Sequence, residues 1–172
     1  MLGTLSAEFG RSVGEVSLVV SAFAISYGVL QLGYGPLGDR IGKLHVIALA
    51  ASGCAVASAF AVLAWSLDAL VLARALMGAT AAGIVPLAMA WIGDSVGYEL
   101  RQETLARLLG ATVSGMIAGQ WLGAWITEAL GWRMVFATLA AVFVGAAWPL
   151  RHAASAERNA TPVTPVAPAR GR

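Results

Sequence analysis

The sequence predicts an all-α, polytopic membrane helix bundle of about five transmembrane helices, and three observations carry that reading. Hydrophobic residues make up 59% of the 172 and charged residues only 12%, with a mean hydropathy of +0.78. So few charges cannot cover a soluble globule of this size. The charges are also bunched, leaving charge-free segments at 16–38, 46–67, 75–93, 108–127 and 134–150. Each comes close to the ~20 residues that cross about 30 Å of hydrocarbon as a helix. None has the ~10-residue alternating pattern of a barrel strand.

The elements follow in order. Residues 1–15 are mixed and partly polar, with Glu8, Arg11 and Glu15. They lack the basic start and short apolar core of a signal peptide and are expected to form an outer N-terminal segment. Residues 16–150 form the five-span bundle. Residues 151–172 shift to Ala, Pro, Thr and Arg, a composition expected to give a disordered cytoplasmic tail. Connections between spans alternate sides, so basic residues set the orientation. One side holds Arg40, Lys43, Arg101, Arg107 and the four arginines of 151–172; the other holds Arg11 and Arg133. The first side is expected to be cytoplasmic, which leaves the C-terminus in the cytoplasm. Indoles favour the interface, so Trp65 and Trp132 are expected at outer ends and Trp91 and Trp148 at inner ends. Trp121 and Trp125, deeper in the fourth span, read as packing residues.

Several function classes drop out. A net charge of +2 excludes an electrostatic nucleic-acid binder. The single Cys54, in an apolar stretch, excludes a disulfide framework or cysteine zinc cluster. His45 and His152 stand alone, and the sequence holds no catalytic triad, paired carboxylates or metal-ligand spacing, so no enzyme activity, cofactor or metal is expected. Gly33 to Gly38 fits a dinucleotide fingerprint but ends a helix-length apolar run instead of following a strand. Gly38 to Lys43 is one residue short of a phosphate-binding loop, and Leu44 stands where Ser or Thr is needed. A sequon at Asn159-Ala160-Thr161 would lie on the wrong side of the membrane for glycosylation.

Gly35-Pro36-Leu37-Gly38-Asp39-Arg40-Ile41-Gly42-Lys43 joins the first two spans. The spacing predicts a tight turn in which Gly42 lets backbones approach, Asp39 caps the second helix, and Arg40 and Lys43 hold the turn in the cytoplasm. This segment resembles the signature between the second and third helices of the major facilitator superfamily, G-x-L-x-D-R-x-G-R, with Lys43 in place of the usual arginine. Residues 72–83 are similar to that family's fourth-helix pattern, a buried arginine followed by small residues. Arg74 lies about 9 Å beyond Asp68 along the helix. It either snorkels to the outer surface or, as the resemblance implies, takes part in proton coupling or anionic contacts. Asp94 lies about 30 Å further along the same helix, beside the Asp39-Arg40 turn. The resemblance implies that it pairs with the motif arginine and latches the cytoplasmic side; the alternative is an ordinary solvated acid.

In the fourth span Ala111, Gly115, Gly119, Gly123 and Thr127 recur every four residues, a stripe on which another helix can pack. It resembles the family's fifth-helix antiporter motif, with Gln120 where a proline is expected. Gly131-Trp132-Arg133 and Phe136 look like the junction into the sixth helix. Tyr27, Gln31 and Tyr34 share one face of the first span, turned toward neighbouring helices or a wet substrate pathway.

The resemblance implies a partial major facilitator fold covering helices two to six, in a multi-pass protein of the cell inner (plasma) membrane. It implies alternating-access transport of small molecules by a fragment or truncated product, through proton-coupled efflux of the drug and arabinose type. The expected partners are the lipid bilayer, a small organic substrate, protons, and the missing helices or a second chain. The alternative is a non-transporting membrane scaffold that binds partners through the glycine stripe.

Overall fold

The computed structural model describes residues 2–159. It is all-α over that range, with eight helices: α1 (Leu2–Phe9), α2 (Val13–Val16), α3 (Leu18–Ile41), α4 (Lys43–Val62), α5 (Leu67–Ala81), α6 (Ile84–Ser95), α7 (Tyr98–Leu130) and α8 (Trp132–Asn159).

Local chemistry sets the boundaries. Ser12 caps α2, its hydroxyl accepting the Glu15 amide (3.3 Å) while the Glu15 carboxylate accepts the Ser12 amide (2.9 Å), a reciprocal capping box. From there α2 and α3 run almost continuously to Gly42. That residue has φ +94°, a conformation that suits glycine, and it alone breaks the chain between α3 and α4. The Ser66 hydroxyl accepts the Ala69 amide and starts α5. The break at Ala82 and Gly83 traces to Pro86, which cannot donate to the Ala82 carbonyl and whose ring crowds it. Gly131, at φ +89°, turns α7 into α8.

Four segments are long and apolar enough to cross a membrane: Val13–Ile41, Lys43–Val62, Leu67–Ser95 and Trp132–Glu157. The all-α polytopic architecture read from the sequence is therefore what the structure shows. The remaining expected span, 108–127, fourth in chain order, lies inside α7. At 33 residues α7 is long enough, about 50 Å, but its glycines, threonines and Gln120 dilute its apolarity relative to the other four.

The centre of the bundle is α4, whose buried face is mostly alanine with Val46, Ile47, Cys54 and Ser58. It packs most extensively against α8 and α5, while α3 packs chiefly against α5. Over its most apolar window 56% of α4 is buried, against 11% in α3 and in α8. Those outer helices therefore turn their apolar residues outward: Leu32 is 85% exposed and Val144 61%. Water would penalise such a surface, whereas lipid would not. One apolar cluster, with Leu5, Val16, Leu70, Met77, Trp132 and Phe136, fills the end where α1 lies. A smaller one, Val46, Ile47 and Leu87, fills the opposite end beside Lys43.

The tail departs from expectation. Instead of ending at Leu150, α8 continues to Asn159. The alanines of 151–159 favour a helix, alanine being the best helix former, whereas the prolines lie beyond them. Ala154 is buried, and the Trp91 indole donates to Glu157 at 3.2 Å. The proline-rich part of the tail, 160–172, lies outside the described residues.

Candidate functional site

At the Lys43 end, α3 stays helical through Ile41, so Gly35 to Ile41 form no turn and Asp39 does not cap α4. Asp39 is instead four residues before Lys43 across the Gly42 break. The Lys43 ammonium lies 2.9 Å from Asp39 Oδ1 and 2.8 Å from Asp94 Oδ2, at the end of α6. One cation thus clasps two carboxylates from different spans. The sequence reading brought Asp94 to the right place but gave it to the motif arginine. Arg40 is exposed and makes no ion pair among the described residues. Gly42 serves through its positive φ and not through close approach, its nearest non-local atom being His45 Cβ at 4.0 Å. Gly35 faces open space. Gly38 is the close-approach glycine of this segment, for a Cβ there would sit 2.5 Å from Leu87 on α6.

The Tyr27, Gln31 and Tyr34 face divides. The Tyr34 hydroxyl donates to the Ala79 carbonyl at 2.8 Å, and its ring fills the space left by the missing side chain of Gly83. Tyr27 stacks on Phe23 with ring centroids 5.9 Å apart. Gln31 is exposed on the same face.

Arg74 turns into the protein. Its Nε donates to the Val19 carbonyl at 3.3 Å, and the guanidinium carbon sits 4.4 Å over the Phe23 ring. It borders an apolar cavity of about 230 Å³ lined also by Leu5, Val19, Val135 and Phe136. Among the described residues no carboxylate pairs with it.

Sequence reasoning missed a polar tie at the α1 end. Glu8 accepts from the Trp132 indole and from Arg133; Arg133 also donates to the Ala64 carbonyl (3.2 Å) and stacks over Trp132. The Trp132 hydrogen bond, then Arg133, holds the Glu8 carboxyl below the usual carboxylate range. Trp132, expected at an interface, is only 2% exposed. No local signal links residues so far apart in the chain.

The glycine stripe of α7 meets little. No atom of another element lies within 4 Å of a Cβ built at Gly115 or Gly119, and Gly123 reaches only Val135 Cγ1 at 4.0 Å. Trp121 and Trp125, read as packing residues, are 75% and 56% exposed.

These features define a polytopic membrane helix bundle whose spans are tied at one end by a lysine between two carboxylates and carry an unpaired arginine toward the other. The sequence profile of the Major Facilitator Superfamily matches residues 1–170, and the chain belongs to that family, one of transporters and not of enzymes. It is 26% identical over 133 residues to the multidrug export protein EmrB of Haemophilus influenzae, covering 77% of this chain and 26% of EmrB. It is 28% identical over 136 residues to the multidrug efflux pump LfrA of Mycolicibacterium smegmatis (78% of this chain, 27% of LfrA). It is 26% identical over 144 residues to the fatty acid resistance protein FarB of Neisseria gonorrhoeae (84% and 28%). The chain thus spans under a third of the length of these relatives.

Proposed function

We propose that this chain forms one wall of an alternating-access transporter that exports small organic molecules in exchange for protons, completed by further helices or a second chain. The family match is the observation that carries this reading, and the export roles named for EmrB and LfrA favour efflux over a scaffold. In this proposal the Lys43 end faces the cytoplasm of a cell with an energised inner membrane, consistent with Arg40, Lys43, Arg101, Arg107 and Arg151 bordering the charge-free segments on that side. α7 is the fourth of five spans, and its open stripe supports a neighbouring helix on that face.

The Asp39, Lys43 and Asp94 clasp is the latch. Each exposed pair adds little to stability, yet a tie present in one conformation and absent in the other shifts the balance between the two. Gly38, Tyr34 and Gly83 keep α3, α5 and α6 close enough to move as one body, as rocking about a central pathway requires. Gln31 and Tyr27 face that pathway. Arg74 supplies the fixed charge near it. A buried arginine without a carboxylate makes an incoming anion or a deprotonated acid favourable, and so links substrate to proton movement.

The test uses everted vesicles from cells expressing the gene with its native flanking sequence. An imposed proton gradient is expected to drive uptake of amphipathic organic dyes, with Asp39→Asn slowing it several-fold. Absence of proton-driven movement across a broad dye panel, with the protein present in the membrane, would overturn the proposal.

A further inference from the structure

The seam between α4 and α8 opens outward as two adjoining clefts. The first, about 260 Å³, is lined by His45, Ala48 and Leu49 of α4 and by Arg151 and Ser155 of α8. The second, about 240 Å³, is apolar, with Ala55 and Val56 facing Val144, Ala147 and Trp148. Arg151 borders both, so they form one groove with a polar mouth at the Lys43 end and an apolar floor running some 10 Å further along α8 to Val144.

The charge in the mouth has one sign. Arg151 lines it, and among the described residues no carboxylate does. The acids nearest along the chain are engaged elsewhere: Asp39 and Asp94 hold Lys43, and Glu157 holds the Trp91 indole. Arg151 enters no ion pair among the described residues. The apolar walls face away from the bundle, Val56 being 71% and Val144 61% exposed. Trp148, 71% exposed, stands where an indole marks the interface.

We propose that this groove binds one anionic phospholipid, its phosphate held by Arg151 and one acyl chain laid between Val56 and Val144. Basic pockets between spans at the cytoplasmic face favour anionic headgroups. A zwitterionic lipid offers the same phosphate, but its ammonium would meet no carboxylate here. A free phosphate leaves the apolar floor unused. The proposal rests on the membrane reading, but its test reads lipid retention and not transport, so the two can fail separately.

The test is native mass spectrometry of the full chain, purified in detergent doped with equal amounts of phosphatidylglycerol and phosphatidylcholine of identical acyl chains. The chain is expected to retain one phosphatidylglycerol at about fivefold preference, the worth of one well-placed arginine. Arg151→Gln should bring the ratio close to one, and Val144→Trp, which fills the floor, should lower retention of phosphatidylglycerol. Arg107→Gln, whose guanidinium already pairs with Glu103 at 2.6 Å outside the groove, should change nothing. Equal retention of both lipids by the unaltered chain, a loss in Arg107→Gln matching that in Arg151→Gln, or unchanged retention in Val144→Trp would overturn the proposal. Displacement of the lipid by millimolar inorganic phosphate would overturn it in favour of a free-anion site.

Discussion

Two sets of glycines sit on transmembrane-length helices of this chain, and they meet opposite surroundings. On α3, α4, α5 and the α5–α6 break, Gly38, Gly53, Gly78 and Gly83 each stand where a Cβ would collide with a neighbouring helix: Leu87, Thr80, the Phe23 carbonyl and the Tyr34 ring, respectively. On α7, Gly115, Gly119 and Gly123 recur with stricter spacing and meet open space or a single methyl at contact distance. In lipid, helices gain little from excluding apolar surface, so close approach through small residues is what holds them together. Regular spacing of small residues therefore measures a capacity for packing, and only a partner turns that capacity into stability.

The comparison can be broken most forcefully at Gly83. Gly83→Leu drives a side chain into the Tyr34 ring and breaks the Tyr34–Ala79 tie. The loss should be about 3 kcal/mol or more, read as a fall in the melting temperature of the detergent-purified chain. Gly119→Ala should act in the other direction. With nothing to collide with, it should stabilise α7 by about 0.5–1 kcal/mol through helix propensity. Destabilisation instead would mean that a second copy already covers the stripe.

Smaller effects sharpen the contrast between the two ends of the bundle. Lys43→Gln removes both ion pairs of the clasp and should leave the melting temperature nearly unchanged, because both carboxylates are exposed. Its larger consequence should be easier labelling by a soluble maleimide of Ser95→Cys, beside Asp94 but outside the clasp, when the two changes are combined. At the other end, the Glu8 pKa is depressed in the folded state, so its tie is complete above the unfolded carboxylate value of about 4.3. The tie is lost as pH falls through the lower folded value. Trp132 fluorescence should be flat from neutral pH down through the ordinary carboxylate range and change only below it, and Glu8→Gln should abolish that acid transition.

Much of the bundle was legible because a membrane leaves few places for charge. The gaps between Glu15, Asp39, Asp68, Asp94, Arg107 and Arg133 bracket the helices that the structure contains. The family resemblance was legible in the nine residues that end at Lys43. What escaped was tertiary choice. Helix α3 keeps its hydrogen bonds through Ile41, which moves Asp39 from a cap to a side-chain partner of Lys43 and leaves Arg40 outside. The Glu8–Trp132–Arg133 tie joins residues too far apart for any spacing rule. Gly78 and Gly83 looked like ordinary small residues because their partners, Phe23 and Tyr34, lie on another helix. The last helix outran its expected end because alanines in 151–159 were weighed together with the prolines that follow.

In the proposed function the chain threads a bilayer five times, with α7 as a crossing and the Lys43 end inside. Thiol labelling tests it directly. Cys54 is 1% exposed, so in a Cys54→Ala background an impermeant maleimide reports only introduced sites. Arg40→Cys and Glu103→Cys should label in everted vesicles alone, and Ser66→Cys and Glu128→Cys in right-side-out vesicles alone. Labelling of Glu103→Cys and Glu128→Cys from the same side would contradict the crossing by α7, and labelling of every site from both sides would contradict the membrane-spanning bundle itself.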